Sequence, residues 1–283
     1  MAELFGFYEG MDFDGYAGID ALNGSSLLHM RRSPMKYRHE KDHPSPPTPA
    51  MILGTATHRM ILEPDRVNDF SVWGEGEDQN VRRGKVWDAF KAANADRMII
   101  TAAERDAMVG MAVGARRNLP IMKYANAKGK CEVSMFWKDS TSGRLYKGRI
   151  DKIIDGHLIP DLKTTRDCRP YKFGAQAYQL GYHIKMAMYW SGYKAITGYE
   201  PKMRLLAIES KPPHESAVYR VTKDVLVQGL EEWQQLEQQL AECEKNDDWP
   251  AAEQEETDLV LPTWATEKID EDLSEFAMEK EDV

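Results

Sequence analysis

The stretch YKGRIDKIIDGHLIPDLKTT, Tyr146 to Thr165, constrains this chain more than any other. It has the texture of two short apolar strands, and Asp155-Gly156 between them is hairpin-turn chemistry. Yet Asp151, Asp161 and Lys163 sit where a strand should be apolar. A buried carboxylate or ammonium is costly unless it is paired or bound to a metal. A chain that places two acids and a lysine inside a sheet must give them partners.

The flanking sequence supplies the sheet. KCEVSMFWKD (Lys130–Asp139) reads as a preceding strand, TSG as its turn, RLYKGRIDKIID as the second strand and HLIPDLKTT as the third. KMRLLAIES and AVYRVT read as further strands. Residues 1–24 read as irregular. Asn23–Glu40 predicts a short helix capped by Ser25 or Ser26 and stopping near Ser33-Pro34. HPSPPTPA is a Pro-rich loop, followed by a helix from about Ala50 to Glu63 that carries His58 and ends at Pro64. Residues 65–80 read as loop. VRRGKVWDAFKAANA and TAAERDAMVGMAVGARRN are amphipathic, and Thr101 with Glu104 forms a capping-box pattern. One long helix is expected from Pro170 to about Thr197, and another over TKDVLVQGLEEWQQLEQQLAECEKN with Leu226, Leu230, Trp233 and Leu240 on one face. No internal repeat is present. The order predicts a mixed α/β (α+β) fold. A single domain is expected over 1–246, with a helical part at 23–120 and a core at 130–246. An acidic, partly disordered tail over 247–283 follows, in which Trp249, Leu259, Leu261 and Trp264 have the character to dock.

Charge sharpens that division. Residues 247–283 hold 14 Asp and Glu against 2 Lys, a net of −12. Of the chain's net −9, the first 246 residues therefore carry +3. A mildly basic body permits contact with nucleic acid, and an acidic tail is a solvating or docking segment. Cys131, Cys168 and Cys243 are odd in number and lack CxxC spacing, which argues against a disulfide framework, a structural zinc site and an iron–sulfur cluster. No apolar run reaches the roughly 18 residues of a membrane span. MAELFGFYEGMDF has neither a basic n-region nor an apolar h-region, so a cytosolic protein without a signal peptide is expected.

Asp161 and Lys163 are two apart on one strand and share a face. In an antiparallel meander, Glu132 and Asp151 can reach that face as well. Three clustered carboxylates repel one another unless a cation neutralises them, and hard oxygen ligands suit Mg²⁺, with Mn²⁺ as substitute. A lysine beside such a metal can orient or deprotonate a water. The set fits metal-assisted hydrolysis of a phosphodiester. A lone DxK pair is ordinarily a surface ion pair; here GxxD, a short turn and DxKTT occur together.

Gly148-Arg149-Ile150-Asp151 followed by Asp161-Leu162-Lys163-Thr164-Thr165 resembles the RecB-type nuclease signature of the PD-(D/E)XK superfamily, which implies a restriction-endonuclease-like core. SSLLHMRRSPMKY, GTATHRMILEP, RRGKVWDAF and YHIKMAMYWSGY resemble, in order, segments of the RecE-like (exonuclease VIII) phage and prophage family. The likeness runs from about Asn23 to Lys211. It implies metal ligation by Asp151 and Asp161, with the Leu162 carbonyl as a further contact and Lys163 as the catalytic lysine. Glu132 matches the upstream acid. His58, otherwise a plain core histidine, matches the N-terminal histidine, as metal ligand or phosphate contact. Tyr189 matches the tyrosine of a QxxxY helix motif, but Lys185 stands where that motif has Gln. Lysine can hold a phosphate as a point charge and cannot accept a hydrogen bond. Lys147, Arg149, Thr164 and Thr165 flank the site as solvated strand positions or phosphate contacts. Arg82, Arg83 and Lys85 open a helix as a DNA contact or a solvated face. His183 is structural.

The resemblance implies a Mg²⁺-dependent exonuclease that resects linear duplex DNA 5′→3′ to expose 3′ single strands for recombination. It also implies a homo-oligomer, a single-strand annealing protein as partner, and a phage or prophage gene working in the bacterial cytoplasm. Two other readings stay open: a structure-selective or Cas4-like nuclease of the superfamily, against which the missing cysteine quartet argues, and an inactive DNA-binding accessory protein on the same scaffold.

Overall fold

The computed structural model describes residues 4–74, 82–139, 142–155, 157–253 and 255–260. In chain order its elements begin with β1 (Gly6–Tyr8), α1 (Phe13–Gly18), α2 (Gly24–Leu27), α3 (Pro34–Asp42), α4 (Pro49–Leu62) and β2 (Phe70–Trp73). They continue with α5 (Lys85–Ala93), β3 (Met98–Thr101), α6 (Ala102–Arg117), α7 (Leu119–Ala125), β4 (Gly129–Lys138), β5 (Leu145–Ile154) and β6 (Leu158–Thr165). The last are α8 (Pro170–Gln179), α9 (Tyr182–Thr197), β7 (Lys202–Glu209), β8 (Ser216–Arg220) and α10 (Lys223–Asn246). No helix among the described residues is long and apolar enough to cross a membrane.

Six strands form one sheet in the order β1-β4-β5-β6-β7-β8. All neighbours are antiparallel except β6 and β7, which are parallel and joined by the α8–α9 crossover. Helices cover both faces. Ile159, Leu205 and Ala207 join Ile184, Trp233 and Leu240 in a core under α9 and α10. Leu162, Leu206 and Ile208 point the other way, onto Leu62 of α4, Met111 of α6 and Ile121 of α7. The alternation of Leu205 to Ile208 divides the two layers, as strand period two requires. The result is a mixed α/β sandwich, as the element order predicts.

Several local expectations are corrected. Residues 4–24 are not irregular: β1 pairs with β4, and Leu22 bridges to Tyr146 of β5, while residues 1–3 lie outside the described residues. The helix expected after Asn23, α2, is capped by the Asn23 carboxamide, not by Ser25 or Ser26. Ser33 does not close a helix but caps the next one, with Pro34 in its first turn, where a missing N–H costs nothing. The described part of the loop expected over 65–80 holds a 3₁₀ turn and β2, which pairs in parallel with β3 as a separate two-stranded sheet, and residues 75–80 lie outside the described residues. The long helix after Pro170 is two helices. Gly181, in left-handed backbone at φ 65°, separates them, and a Cβ there would strike the Leu28 side chain. The Thr101–Glu104 capping box is present in full. Beyond α10, Trp249 stacks on Tyr37 with ring centres 6.0 Å apart, so the start of the acidic tail is docked. Leu259 is exposed, while Leu261, Trp264 and the disorder expected of the tail's end lie outside the described residues.

Two features of the sheet create the site. β5 and β6 are paired at Ile154–Leu158, beside their turn, and then part. Pro160, two residues further, has no N–H with which to continue an antiparallel ladder. On its other edge β6 pairs with β7 from Leu158 to Thr165. The sheet therefore opens as a fork between β5 and β6 while the rest stays closed. Along β5, the Leu22 backbone closes the far end of the fork by exchanging hydrogen bonds with Leu145 and Lys147.

Candidate active site

The second feature is a reversal of side-chain alternation. Ile150 and Lys152 would share a face in a regular strand. Instead Ile150 joins the core under α9, and Lys152 donates to the Ala125 carbonyl at the end of α7 at 2.6 Å. The register pairs Cys131 with Lys152 and Val133 with Ile150, which leaves Glu132 opposite Asp151. Glu132 is in left-handed backbone at φ 51°, a conformation that costs a non-glycine residue about 1–2 kcal/mol. The kink turns both acids into the fork. The acids accordingly do not line one face of a flat sheet, as simple alternation implies. Glu132 and Asp151 meet His58 from α4, on one side. Asp161 and Lys163 face α9, where Lys163 lies over the Tyr182 ring at 5.4 Å.

One ligand atom each from His58, Glu132 and Asp151 lie within 4.8 Å of one another. His58 Nδ1 is 3.3 Å from Asp151 Oδ2, and the Leu162 N–H donates to the same oxygen at 2.8 Å. Thus a backbone group freed by the fork is satisfied by the acid of the facing strand. Asp161 pairs with Lys163 beside this trio rather than within it. The Leu162 carbonyl accepts from Lys163 Nζ at 3.4 Å.

Electrostatics separates the two acids. Burial pushes Asp151 up, but the His58 and Lys163 charges and two hydrogen bonds outweigh it and hold its carboxyl at about 2. Burial, reinforced by the Asp151 charge, raises Asp161 despite Lys163. Glu132 is raised by burial and then by Asp151, with Arg149 opposing. Burial disfavours charge on His58, yet Asp151 raises it overall. Burial likewise disfavours charge on Lys163, but Asp161 and Asp151 lift its ammonium above the usual range, so it is a fixed cation. Lys185 is drawn down to about 8 by burial and then by the Lys163 charge.

This donor set fits a divalent cation. Two carboxylates and an imidazole converge, a third carboxylate is held close enough to be raised by their charge, and all are oxygen or nitrogen donors suited to Mg²⁺ or Mn²⁺. Cys168, Glu209 and Glu215 also converge within 4.8 Å, but burial first and Glu209 second push that thiol up to about 11, away from the thiolate a metal needs.

Residues 24–260 match the model of a family described as a PDDEXK-like domain of unknown function (DUF3799). The chain belongs to that family. Its fold is therefore that of the PD-(D/E)XK proteins, and the GxxD and DxK strands occupy the β5–β6 fork. The crystal structure of a candidate exonuclease from Eubacterium rectale is similar, with a TM-score of 0.63 at 15% identity over 90% of this chain and 96% of that one. The crystal structure of SSO0001, at 15% identity over 72% of this chain and 84% of that one, has a TM-score of 0.28. A search of curated proteins found no match.

In the PDDEXK-like chain His58, Glu132 and Asp151 converge at the fork, and Asp161, Leu162 and Lys163 lie beside them. Tyr189 also reaches the fork: its hydroxyl donates to the Arg149 carbonyl at 3.0 Å. Its ring lies over Gly148, where an added Cβ would sit 2.7 Å from Cε1. Lys185 is half-buried on α9, with no hydrogen bond or ion pair among the described residues. The other flanking residues are engaged within the protein. Thr165 is buried against Gln176 and the Asp167 carbonyl, and Thr164 is half-buried near Gly54. Arg149 pairs with Glu132 at 2.8 Å, and Lys147 donates to three backbone carbonyls. Arg82 pairs with Glu104 at 2.6 Å, across from the capping box, whereas Arg83 and Lys85 are exposed. His183 pairs with Glu232 at 2.8 Å, a structural role. Sequence reading missed the N-terminal segment that closes the fork. The signal was Lys147, Arg149 and Asp151 at every second position, a row of charges that a solvated strand does not need.

Proposed function

We propose that this chain is a divalent-metal-dependent exodeoxyribonuclease that degrades linear duplex DNA from its ends. One observation carries the reading: His58, Glu132 and Asp151 converge in the fork, with the Asp161–Lys163 pair beside them. Membership of the PDDEXK-like family and the similarity to a candidate exonuclease support it.

When bound by His58, Glu132 and Asp151, with Asp161 adjacent, Mg²⁺ would supply Lewis-acid stabilisation and an activated water. The chain's own groups do the rest. Lys163 is held charged by Asp161, so it orients the attacking water or a phosphate oxygen by donating hydrogen bonds. Lys185, unpaired on α9, offers a second cation to the phosphate where the RecE-like family has Gln, and binds it as a point charge. Tyr189 is neutral and packs on Gly148, fixing α9 against β5. Arg83 and Lys85 offer phosphate contacts further along the duplex.

The finer reading follows the resemblance to the RecE-like family: 5′→3′ polarity, 3′ single strands as product, a homo-oligomer, a single-strand annealing partner, and a phage or prophage setting in the bacterial cytoplasm. The test is digestion of end-labelled linear duplex with Mg²⁺, beside covalently closed circular DNA. Nucleotide release from the linear substrate by wild type, none by Lys163→Ala, and an intact circle are the expected results. Cutting of the circle would replace the reading with a structure-selective endonuclease. Equal inactivity of wild type and variant would overturn it.

A further inference from the structure

The N-terminal segment is anchored to β5 by two cations on alternate residues. Lys147 Nζ donates to the carbonyls of Tyr16 at 3.0 Å, Ala17 at 2.9 Å and Ile19 at 2.7 Å. Tyr16 and Ala17 lie in the last turn of α1, where the carbonyls have no partner within the helix and carry the negative end of its dipole, and Ile19 is the residue that caps its end. Lys147 is 5% exposed, so this is a built contact rather than a surface one. Two residues on, Arg149 uses its guanidinium in two directions. Nη1 donates to the Met11 carbonyl at 3.0 Å, with the Asp12 carbonyl and Ser134 Oγ further out at 3.5 and 3.4 Å. Nε donates to Glu132 Oε2 at 2.8 Å. The Tyr16 ring lies against both cations, 4.9 Å from Lys147 and 6.0 Å from Arg149.

Glu132 is the acid of the trio that needs the most help. Its backbone is in the left-handed region, and among the described residues its carboxylate takes its hydrogen bond from Arg149. The group that aims it is the same group that holds the start of α1. We infer that Arg149 is a positioning residue that couples the segment from Met11 to Ile19 to the metal trio, so that cation binding and ordering of this segment favour one another. The inference rests on the metal-site reading above. Coupling of this kind is reciprocal: what the cation does for the segment, the segment does for the cation. A guanidinium serves Glu132 and the Met11 carbonyl from two different nitrogens, Nε and Nη1, whereas a lysine has all its donors on one compact nitrogen.

The test uses the full chain and Mn²⁺ alone. Mn²⁺ affinity is measured by calorimetry, and amide hydrogen exchange is followed over residues 11–19 with and without the ion. Wild type is expected to bind Mn²⁺ and to exchange more slowly in that segment when loaded. Arg149→Met is expected to bind about 10- to 100-fold more weakly, the usual cost of losing a group that orients a ligand. It should also show no Mn²⁺-dependent slowing at matched saturation. Arg149→Lys keeps a cation beside Glu132 but loses the fork. Its affinity should stay within a few-fold of wild type while the slowing is lost, and it carries the test should Arg149→Met fail to fold. Wild-type affinity in Arg149→Met, or undiminished slowing in Arg149→Lys, would overturn the coupling. Absence of slowing in loaded wild type would overturn it equally. A wild type that binds no Mn²⁺ would overturn the metal reading itself, a result distinct from all of these.

Discussion

The two edges of β6 differ in kind. On the β7 side every residue from Leu158 to Thr165 has a partner in a parallel ladder, and the side chains between are Leu162, Leu206 and Ile208. On the β5 side the ladder stops after Ile154–Leu158, and the side chains that follow are Asp151, Asp161 and Lys163. One strand thus has a structural edge held by backbone and apolar packing, and a chemical edge held by charge. Where the ladder is released, backbone groups need other partners; Asp151 takes the Leu162 N–H, and Leu22 takes the end of β5. A sheet can therefore hold charged side chains inside a protein if it opens where they sit.

The sharpest way to break this contrast is at the chemical edge. Lys163→Met should lower nucleotide release from linear duplex by about 10²- to 10³-fold, the scale on which a transition-state donor is lost, while far-UV circular dichroism stays native. A fall of less than tenfold would mean that the fork is not the reacting centre. Leu206→Ala tests the structural edge. It removes a fully buried side chain and should cost about 2–5 kcal/mol in denaturant unfolding. Mn²⁺ affinity of the folded protein should be unchanged, and a parallel loss of affinity would show that the two edges are not separable. Gly148→Ala lies between them. A Cβ there displaces the Tyr189 ring, which should cost about 1–3 kcal/mol and reduce activity together. Restoring activity with Gly148→Ala combined with Tyr189→Leu would assign the effect to that one contact. The smallest effect is expected just past the end of β6, at the surface. Asp167 is held at about 2 by the Arg169 side chain and backbone in an exposed pair, and Asp167→Asn should leave the unfolding midpoint unchanged within error.

Much of the chemical edge is legible in the sequence. Asp151, Asp161 and Lys163 are conspicuous because a strand seldom carries them, and the three central strands follow from period two and from the Asp155 turn. Glu132 follows from the meander and was reinforced by the resemblance, whereas His58 became legible only through it, since an isolated histidine on a helix carries no signal of its own. The kink at Glu132 was not legible: left-handed backbone at a glutamate leaves no mark on a one-letter string. Nor was the role of residues 1–24. β1 is three residues long, and α1 is held by carbonyls resting on Lys147, so the segment's stability lives in backbone contacts that no side-chain pattern reports. In the sequence Arg149, Thr165 and Arg82 read either as DNA contacts or as solvated positions, from charge or polarity and position. Each has a protein partner in the fold, and a single strand or helix in isolation cannot show that partner. The helix break at Gly181 was written in the sequence, but a glycine within an amphipathic run is ambiguous until Leu28 is known to lie against it.

The central claim is that the fork between β5 and β6 holds a divalent cation. Anomalous diffraction from crystals of the full chain soaked in Mn²⁺ tests it directly. The account predicts a peak within coordination distance of His58, Glu132 and Asp151, next to the Asp161–Lys163 pair. No peak in the fork at saturating Mn²⁺, or a peak only at Cys168, Glu209 and Glu215, would contradict it.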